Sequence, residues 1–277
     1  MEHQTTMQAQ LAYVEICSPD PDALSRFYRD AFSAEVETAG NARICHGPDR
    51  CLMISPGPAK TLKSAGYAIH DPACLDGLAK RLGIAGVANE RTSTPIFADA
   101  VGFTDPSGNR MFFGIRHGSR AAVNGLPGRI QHLVVATRNA AEMVEFYTRV
   151  VGLAESDRVV DGDGVMRTAF MRSDHEHHSF AVFQAGEDRL DHHCYEAADW
   201  NSIRDWGDHF ASLRVPVKWG PGRHGPGNNL FVFIHDPDGN WVEISAEIEI
   251  VGSNRPAGVW PHEERTLNSW GSAPLRS

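Results

Sequence analysis

An internal repeat constrains this chain more than any other feature. Leu11-Ala12-Tyr13-Val14-Glu15-Ile16 alternates with the two-residue period of a strand, and a helical pattern carrying Leu24, Phe27, Tyr28 and Phe32 follows it. The same phrase returns at Ile130-Gln131-His132-Leu133-Val134-Val135, followed by Met143, Phe146, Tyr147 and Val151. The Phe-Tyr pairs 27/28 and 146/147 lie 119 positions apart, as do Tyr13 and His132. Each half ends on the same punctuation, Asp105-Pro106-Ser107-Gly108-Asn109 and Asp236-Pro237-Asp238-Gly239-Asn240, between apolar strands. Such a turn has a mechanism, since Pro presets the bend and Gly supplies positive φ. Residues 72–84 and 198–213 read as helices, each set between strands. The order predicts an α+β fold of two tandem domains, 8–117 and 128–250, in each of which a β-α-β-β-β unit occurs twice. A small-residue linker, 118–125, joins them, and a tail, 251–277, follows.

Charge and composition exclude several classes of function. There are 35 acidic against 26 basic residues, a net charge of −9, and no basic cluster or Arg/aromatic stripe that would track a phosphate backbone. Nucleic acid is therefore not an expected partner. Met1 to Gln8 lacks the basic start and apolar run of a signal peptide, and no segment reaches the length of a membrane span, so the expected location is the cytoplasm. The five cysteines are scattered without a C-x-x-C pair, which points to reduced thiols rather than a disulfide framework or a zinc site.

The two halves differ where chemistry is concerned. Tyr13 in the first half becomes His132 in the second, Phe112 becomes Glu243, and Tyr67 is matched with His193 in Leu190-Asp191-His192-His193-Cys194-Tyr195. With 14 histidines in the chain, any one of these alone reads as a packed or exposed side chain; three replacements at matching positions carry more. Two imidazoles and one carboxylate with open positions form the facial triad of non-haem Fe(II) oxygenases. Strand alternation puts His132 opposite Leu133 and Val135, and Glu243 opposite Val242 and Ile244, so both polar groups are expected on one concave sheet surface. His178 is read as opening an alternating strand. His224 lies in the Gly/Pro loop Arg223-His224-Gly225-Pro226-Gly227, a usual setting for a binding residue. A histidine titrating near neutrality can take and return a proton in one turnover. His175, His177 and His235 are expected in solvent, and His192 in packing against the other layer.

These residues resemble the type I extradiol ring-cleavage dioxygenases of the vicinal oxygen chelate superfamily, over nearly the whole chain. The motifs are His178 fifteen residues before His193, His224 in R-H-G, and the closing D-P-D-G-N-x-V-E that ends at Glu243. The resemblance implies paired modules forming open concave barrels, an N-terminal domain without metal and a C-terminal catalytic one. It implies Fe(II), or Mn(II) in some members, on His132, His193 and Glu243. His178 would be the acid/base and His224 the contact to a bound catecholate. The substrates would be a catechol and O2, in the catabolism of aromatic compounds, and the assembly a homo-oligomer. The tail from Pro256 to Gly271 resembles a segment that covers the site mouth. One position departs: the family has tyrosine ten residues before the ligand glutamate, where this chain has Phe233. The competing expectations are a metal-dependent isomerase or lyase of glyoxalase type, and a metal-binding member without turnover.

Overall fold

The computed structural model describes residues 7–118, 123–252 and 255–275. Residues 119–122 of the expected linker and 1–6 of the N-terminus lie outside that set. The chain forms four β-α-β-β-β modules in two sheets. The first is β1 (Ala9–Ser18), α1 (Pro21–Phe32), β2 (Glu35–Ala39), β3 (Ala42–Gly47) and β4 (Arg50–Pro56). The second is β5 (Leu62–Ile69), α2 (Pro72–Ile84), β6 (Asn89–Thr92), β7 (Phe97–Thr104) and β8 (Arg110–Arg116). The third is β9 (Arg129–Thr137), α3 (Ala140–Glu145), β10 (Ala154–Val160), β11 (Met166–Arg172) and β12 (Phe180–Gln184). The fourth is β13 (Arg189–Ala197), α4 (Trp200–Ser212), β14 (Trp219–Arg223), β15 (Leu230–His235) and β16 (Trp241–Ala246). In the tail, β17 (Gly258–Pro261) adds to the second sheet beside β10, and α5 (Glu264–Leu267) follows. The helix read through Met143 and Val151 is α only as far as Glu145; Phe146–Val151 continue it as a π-helical turn.

Both sheets repeat one topology. The first runs β2-β3-β4-β1-β5-β8-β7-β6, and in the second β13 lies between antiparallel β9 and parallel β16. Helix starts are written locally: Asp20, Asp71, Asn139 and Asp199 each accept a bond from a backbone N–H of the first turn, which satisfies a donor the helix itself leaves open. The helices turn their apolar stripes to a core shared by both halves. Leu24, Tyr28 and Phe32 of α1, one turn apart, are buried there with Ile203, Trp206 and Phe210 of α4. Phe32 sits at the centre, its ring centroid 5.2–5.7 Å from those of Tyr28, Tyr195, Trp206 and Phe210. The opposite, concave face of each sheet carries a smaller cluster. In the first half Tyr13, Phe97 and Met53 fill that face.

The repeated Phe-Tyr pair and the repeated D-P-x-G-N turn meet across the halves. Tyr28 donates its hydroxyl to Asp236 Oδ2 at 3.1 Å, and Tyr147 donates to Asp105 Oδ2 at 2.9 Å. Each aspartate also accepts the backbone N–H groups of its own turn, which Gly108 and Gly239 close at φ +86° and +78°. The repeat is therefore interlocked, with a helix of either half tied to the last turn of the other. Losing one buried bond to a carboxylate costs about 1–3 kcal/mol, and emptying a core aromatic site about 3–5 kcal/mol. Tyr28→Phe and Tyr147→Phe should each lower the urea midpoint by the smaller amount, and Phe32→Ala by the larger. Unchanged midpoints in both tyrosine variants would remove the interlock from the account.

Candidate active site

The concave face of the second sheet is built differently from its counterpart. His132 of β9, His192 of β13 and Glu243 of β16 project onto it and are almost wholly buried. His132 Nε2 lies 3.1 Å from Glu243 Oε2 and 3.3 Å from His192 Nε2, which is itself 3.2 Å from Glu243 Oε2. His193 is not in this group. Its side chain enters the shared core, with Nε2 3.4 Å from the Tyr28 hydroxyl and the ring beside Tyr195. Burial and the neighbouring His192 and His132 hold its pKa down at about 3, so it stays neutral there.

The expectations for His192 and His193 were exchanged, and the sheet register explains why. Cys194 pairs with both His132 and Glu243, and Gly66 occupies the same place between Tyr13 and Phe112. Tyr67 therefore corresponds to Tyr195, both in the shared core, and the counterpart of His192 is Ser64. Tyr67 was grouped with Tyr13 and Phe112, but it faces the shared core while they face the concave side, and the two-residue slip from Tyr195 to His193 keeps that core face. Tyr195, two residues beyond His193 and so on the same face, is the sequence signal that puts His193 in the core and His192 opposite it.

The tautomers follow from the partners. Both amide hydrogens of Gln131 are used, on the His178 carbonyl at 2.6 Å and on Glu176 Oε2 at 3.1 Å, so its oxygen accepts from His132 Nδ1–H at 2.5 Å. His192 Nδ1–H likewise donates to Asp191 Oδ1 at 2.6 Å. Both Nε2 atoms then face Glu243, and in neutral rings they present lone pairs to it; burial pushes the Glu243 carboxyl up, while protonated His132, His192 and His224 outweigh this and would hold it well below the usual range. Three acceptors facing one another in a buried space repel unless a cation lies among them, so the donor set fits a divalent metal ion. Gln131 and Asp191, which sequence reading passed over, are the outer partners that aim metal-binding imidazoles. Asn229, also passed over, donates to Glu243 Oε1 at 3.3 Å and leaves Oε2 to the histidines. Cys194 shares this face, its Sγ within 4.8 Å of ligand atoms of His132 and Glu243. Burial and the carboxylates of Glu243 and Glu196 push its thiol pKa far up, so it keeps its proton and is the poorer ligand.

Around this centre lie His178 and His224. His178 is in the loop ahead of β12 rather than in the strand, with its ring centroid 4.5 Å from that of His132. Burial, then His132 and His177, push its pKa well down, so the ring is neutral. His224 lies in the loop between β14 and β15, donates Nδ1–H to the Leu267 carbonyl at 2.5 Å, and has Nε2 3.5 Å from Glu243 Oε1. The cavity walls are apolar, including Val134, Phe170, Phe183, Trp219 and Phe233, and Thr266 and Leu267 bring the tail into the wall. Phe233 opposes Glu243 in the β15–β16 register, with its ring centroid 5.2 Å from that of His192. His177 is fully buried, contrary to its expected place in solvent, while His175 is exposed and His235 half-buried.

Residues 129–244, which contain His132, His178, His192, His224 and Glu243, match the model of the glyoxalase/bleomycin resistance protein/dioxygenase superfamily. Metapyrocatechase 2 of Cupriavidus necator is 28% identical over 282 residues, an alignment spanning 91% of this chain and 86% of that one. Residues 129–244 thus form a domain of this superfamily, and the whole chain is similar to its extradiol dioxygenases. The native homoprotocatechuate 2,3-dioxygenase of Arthrobacter globiformis shares the fold with a TM-score of 0.84 at 23% identity, over 98% of this chain and 90% of that one. A manganese-dependent 2,3-dihydroxybiphenyl 1,2-dioxygenase of Geobacillus genomosp. 3 is 26% identical over 152 residues, 52% of this chain and 45% of that one. Extradiol dioxygenases depend on a metal, and the converging acceptors supply a site for one. Removing a histidine from that convergence should therefore separate the neighbours in β13. His192→Ala should leave less than about a tenth of the bound metal, in keeping with the 10- to 100-fold losses seen around metal sites. His193→Phe should keep its metal and report only on stability. Elemental analysis of both purified variants checks this, and the reverse pattern would exchange the two residues again.

Proposed function

We propose that the protein cleaves the ring of a catechol next to its diol, inserting both atoms of O2, with Fe(II) on His132, His192 and Glu243. The observation that carries this is the convergence of two imidazole lone pairs and one carboxylate oxygen, with two further histidines beside them under an apolar wall. A bound divalent ion would chelate both diol oxygens and, as Fe(II), couple electron flow from the ring to dioxygen. Mn(II) suits the same hard-and-imidazole donor set and is the alternative ion.

The chain's own groups divide the remaining work. His178 and His224 flank the space above Glu243, and either ring nitrogen facing it can accept a proton as the diol binds and ionises. His178, next to the His132 ring, is placed to return that proton during ring opening. The Leu267 carbonyl fixes the ring of His224, so its Nε2 faces the diol as a directed hydrogen-bonding group. Val134, Phe170, Phe183 and Trp219 exclude water and strengthen each of these contacts. The balance closes without an outside reductant: one ring C–C bond breaks, and both oxygens enter a semialdehyde or keto acid. We place the enzyme in the cytoplasm, as a homo-oligomer, with residues 8–117 as the domain without metal and 128–250 as the catalytic one.

A glyoxalase-type isomerase needs neither His178 nor His224, and the fit of both to the centre favours the dioxygenase. Supplied with a catechol and ¹⁸O2, the Fe(II) protein should consume oxygen and carry two labelled atoms into a ring-opened product. Binding without oxygen uptake would leave a non-catalytic metalloprotein. Phe233→Tyr restores a hydroxyl beside His192 and His224 and should change kcat or substrate range by several-fold; kinetics on a catechol panel identical to the parent would make Phe233 an ordinary wall residue.

A further inference from the structure

Behind His178, away from the cavity, runs a buried chain of polar groups that the proposed chemistry leaves without a role. His178 Nδ1 lies 3.0 Å from His177 Nδ1 in a hydrogen bond. On the far side, His177 Nε2 lies 3.0 Å from Asp157 Oδ2, close but out of line for an ideal N–H···O bond. His177 and Asp157 are both fully buried. Asp157 is held by the tail: Arg255 donates to both its oxygens at 2.8 and 3.2 Å, the Gly258 N–H donates to Oδ1 at 2.9 Å, and Trp260 Nε1–H to Oδ2 at 2.8 Å.

The direction of every proton in this chain is set from its outer end. A carboxylate bound by a guanidinium, an amide and an indole N–H can only accept, so the nitrogen of His177 facing it carries hydrogen. Arg255 already supplies the positive charge that pairs with Asp157, so His177 needs only the one hydrogen that faces the carboxylate, and its bare Nδ1 can only accept from His178 Nδ1–H. That leaves His178 Nε2 unprotonated, as an acceptor. Gly227 packs over His177 so closely that a Cβ there would come within 3.0 Å of its Nδ1, which leaves the ring little freedom to turn. The tail thus fixes both histidines of the site, His224 through the Leu267 carbonyl and His178 through Asp157 and His177.

We propose that His177 is a positioning residue, which with Asp157 and the tail locks His178 in the Nδ1–H tautomer so that Nε2 is the atom that exchanges protons. This rests on the ring-cleavage reading for its consequence but not for its geometry. Deleting the acceptor while filling the space, as in His177→Leu, should lower kcat roughly 10- to 100-fold, within the contribution of a positioned acid or base. The metal content and the anaerobic Kd for catechol should stay within about threefold, since His177 touches neither the metal ligands nor the cavity. His177→Asn, whose side-chain oxygen can take the place of Nδ1, should recover most of the rate.

The tautomer can be read directly by ¹⁵N NMR of histidine-labelled full-length protein loaded with diamagnetic Zn(II). His178 should be protonated at Nδ1 and bare at Nε2 in the parent and in His177→Asn, and should lose that single state in His177→Leu. A parent His178 protonated at Nε2, or a His177→Leu enzyme as fast as the parent, would overturn the proposal. A parent that shows the expected tautomer but consumes no O2 would instead sink the ring-cleavage reading and leave the hydrogen-bonded chain standing.

Discussion

The site depends on the register of β13 between β9 and β16. That register sets Cys194 opposite His132 on one side and Glu243 on the other, and so brings His192 to the same concave face. It turns the next residue, His193, into the apolar core. Two adjacent histidines of one strand thus have opposite fates, one aimed at a carboxylate and the other buried neutral beside Tyr28. Irregularities between Leu190 and His192, and between Cys194 and Tyr195, adjust the strand on both sides of the pair.

Duplication gave the fold its stability and its asymmetry. The shared core draws on all four modules, and the reciprocal Tyr–Asp bonds tie each half to the closing turn of the other. On the concave faces the same positions hold Tyr13, Ser64 and Phe112 in one half and His132, His192 and Glu243 in the other. In the first half Ser64 and Ser55 donate to Glu15, and aromatic rings occupy the remaining space. One face is packed shut, and the other keeps polar groups buried, which is costly unless they have partners. Gln131, Asp191 and Asn229 supply those partners and leave the three facing atoms to one another.

Much of this was legible in the sequence. The two-residue period of β1 and β9, the 119-residue offset of the Phe-Tyr pairs and the repeated D-P-x-G-N turn led to the α+β modules, and strand alternation put His132 and Glu243 on one face. The assignment within His192-His193 failed because Tyr67, the residue matched to His193, belongs to the core face and not to the concave face of Tyr13 and Phe112, so the match carried the wrong face. Asp157 and His177 were not legible at all. Their partners lie some 20 to 100 positions away, in the tail and in a loop with no periodicity, and burial of a His-His pair outside a strand leaves no pattern in the chain.

The central claim is that three acceptor atoms converge because a cation belongs among them. Anomalous diffraction at the metal's absorption edge, on crystals of the Fe(II)- or Mn(II)-loaded protein, tests it most directly. The account predicts one strong peak bonded to His132 Nε2, His192 Nε2 and Glu243 Oε2, with His193 remote from it. A peak bonded to His193 or to Cys194, or no peak at this centre in protein shown to contain metal, would contradict it.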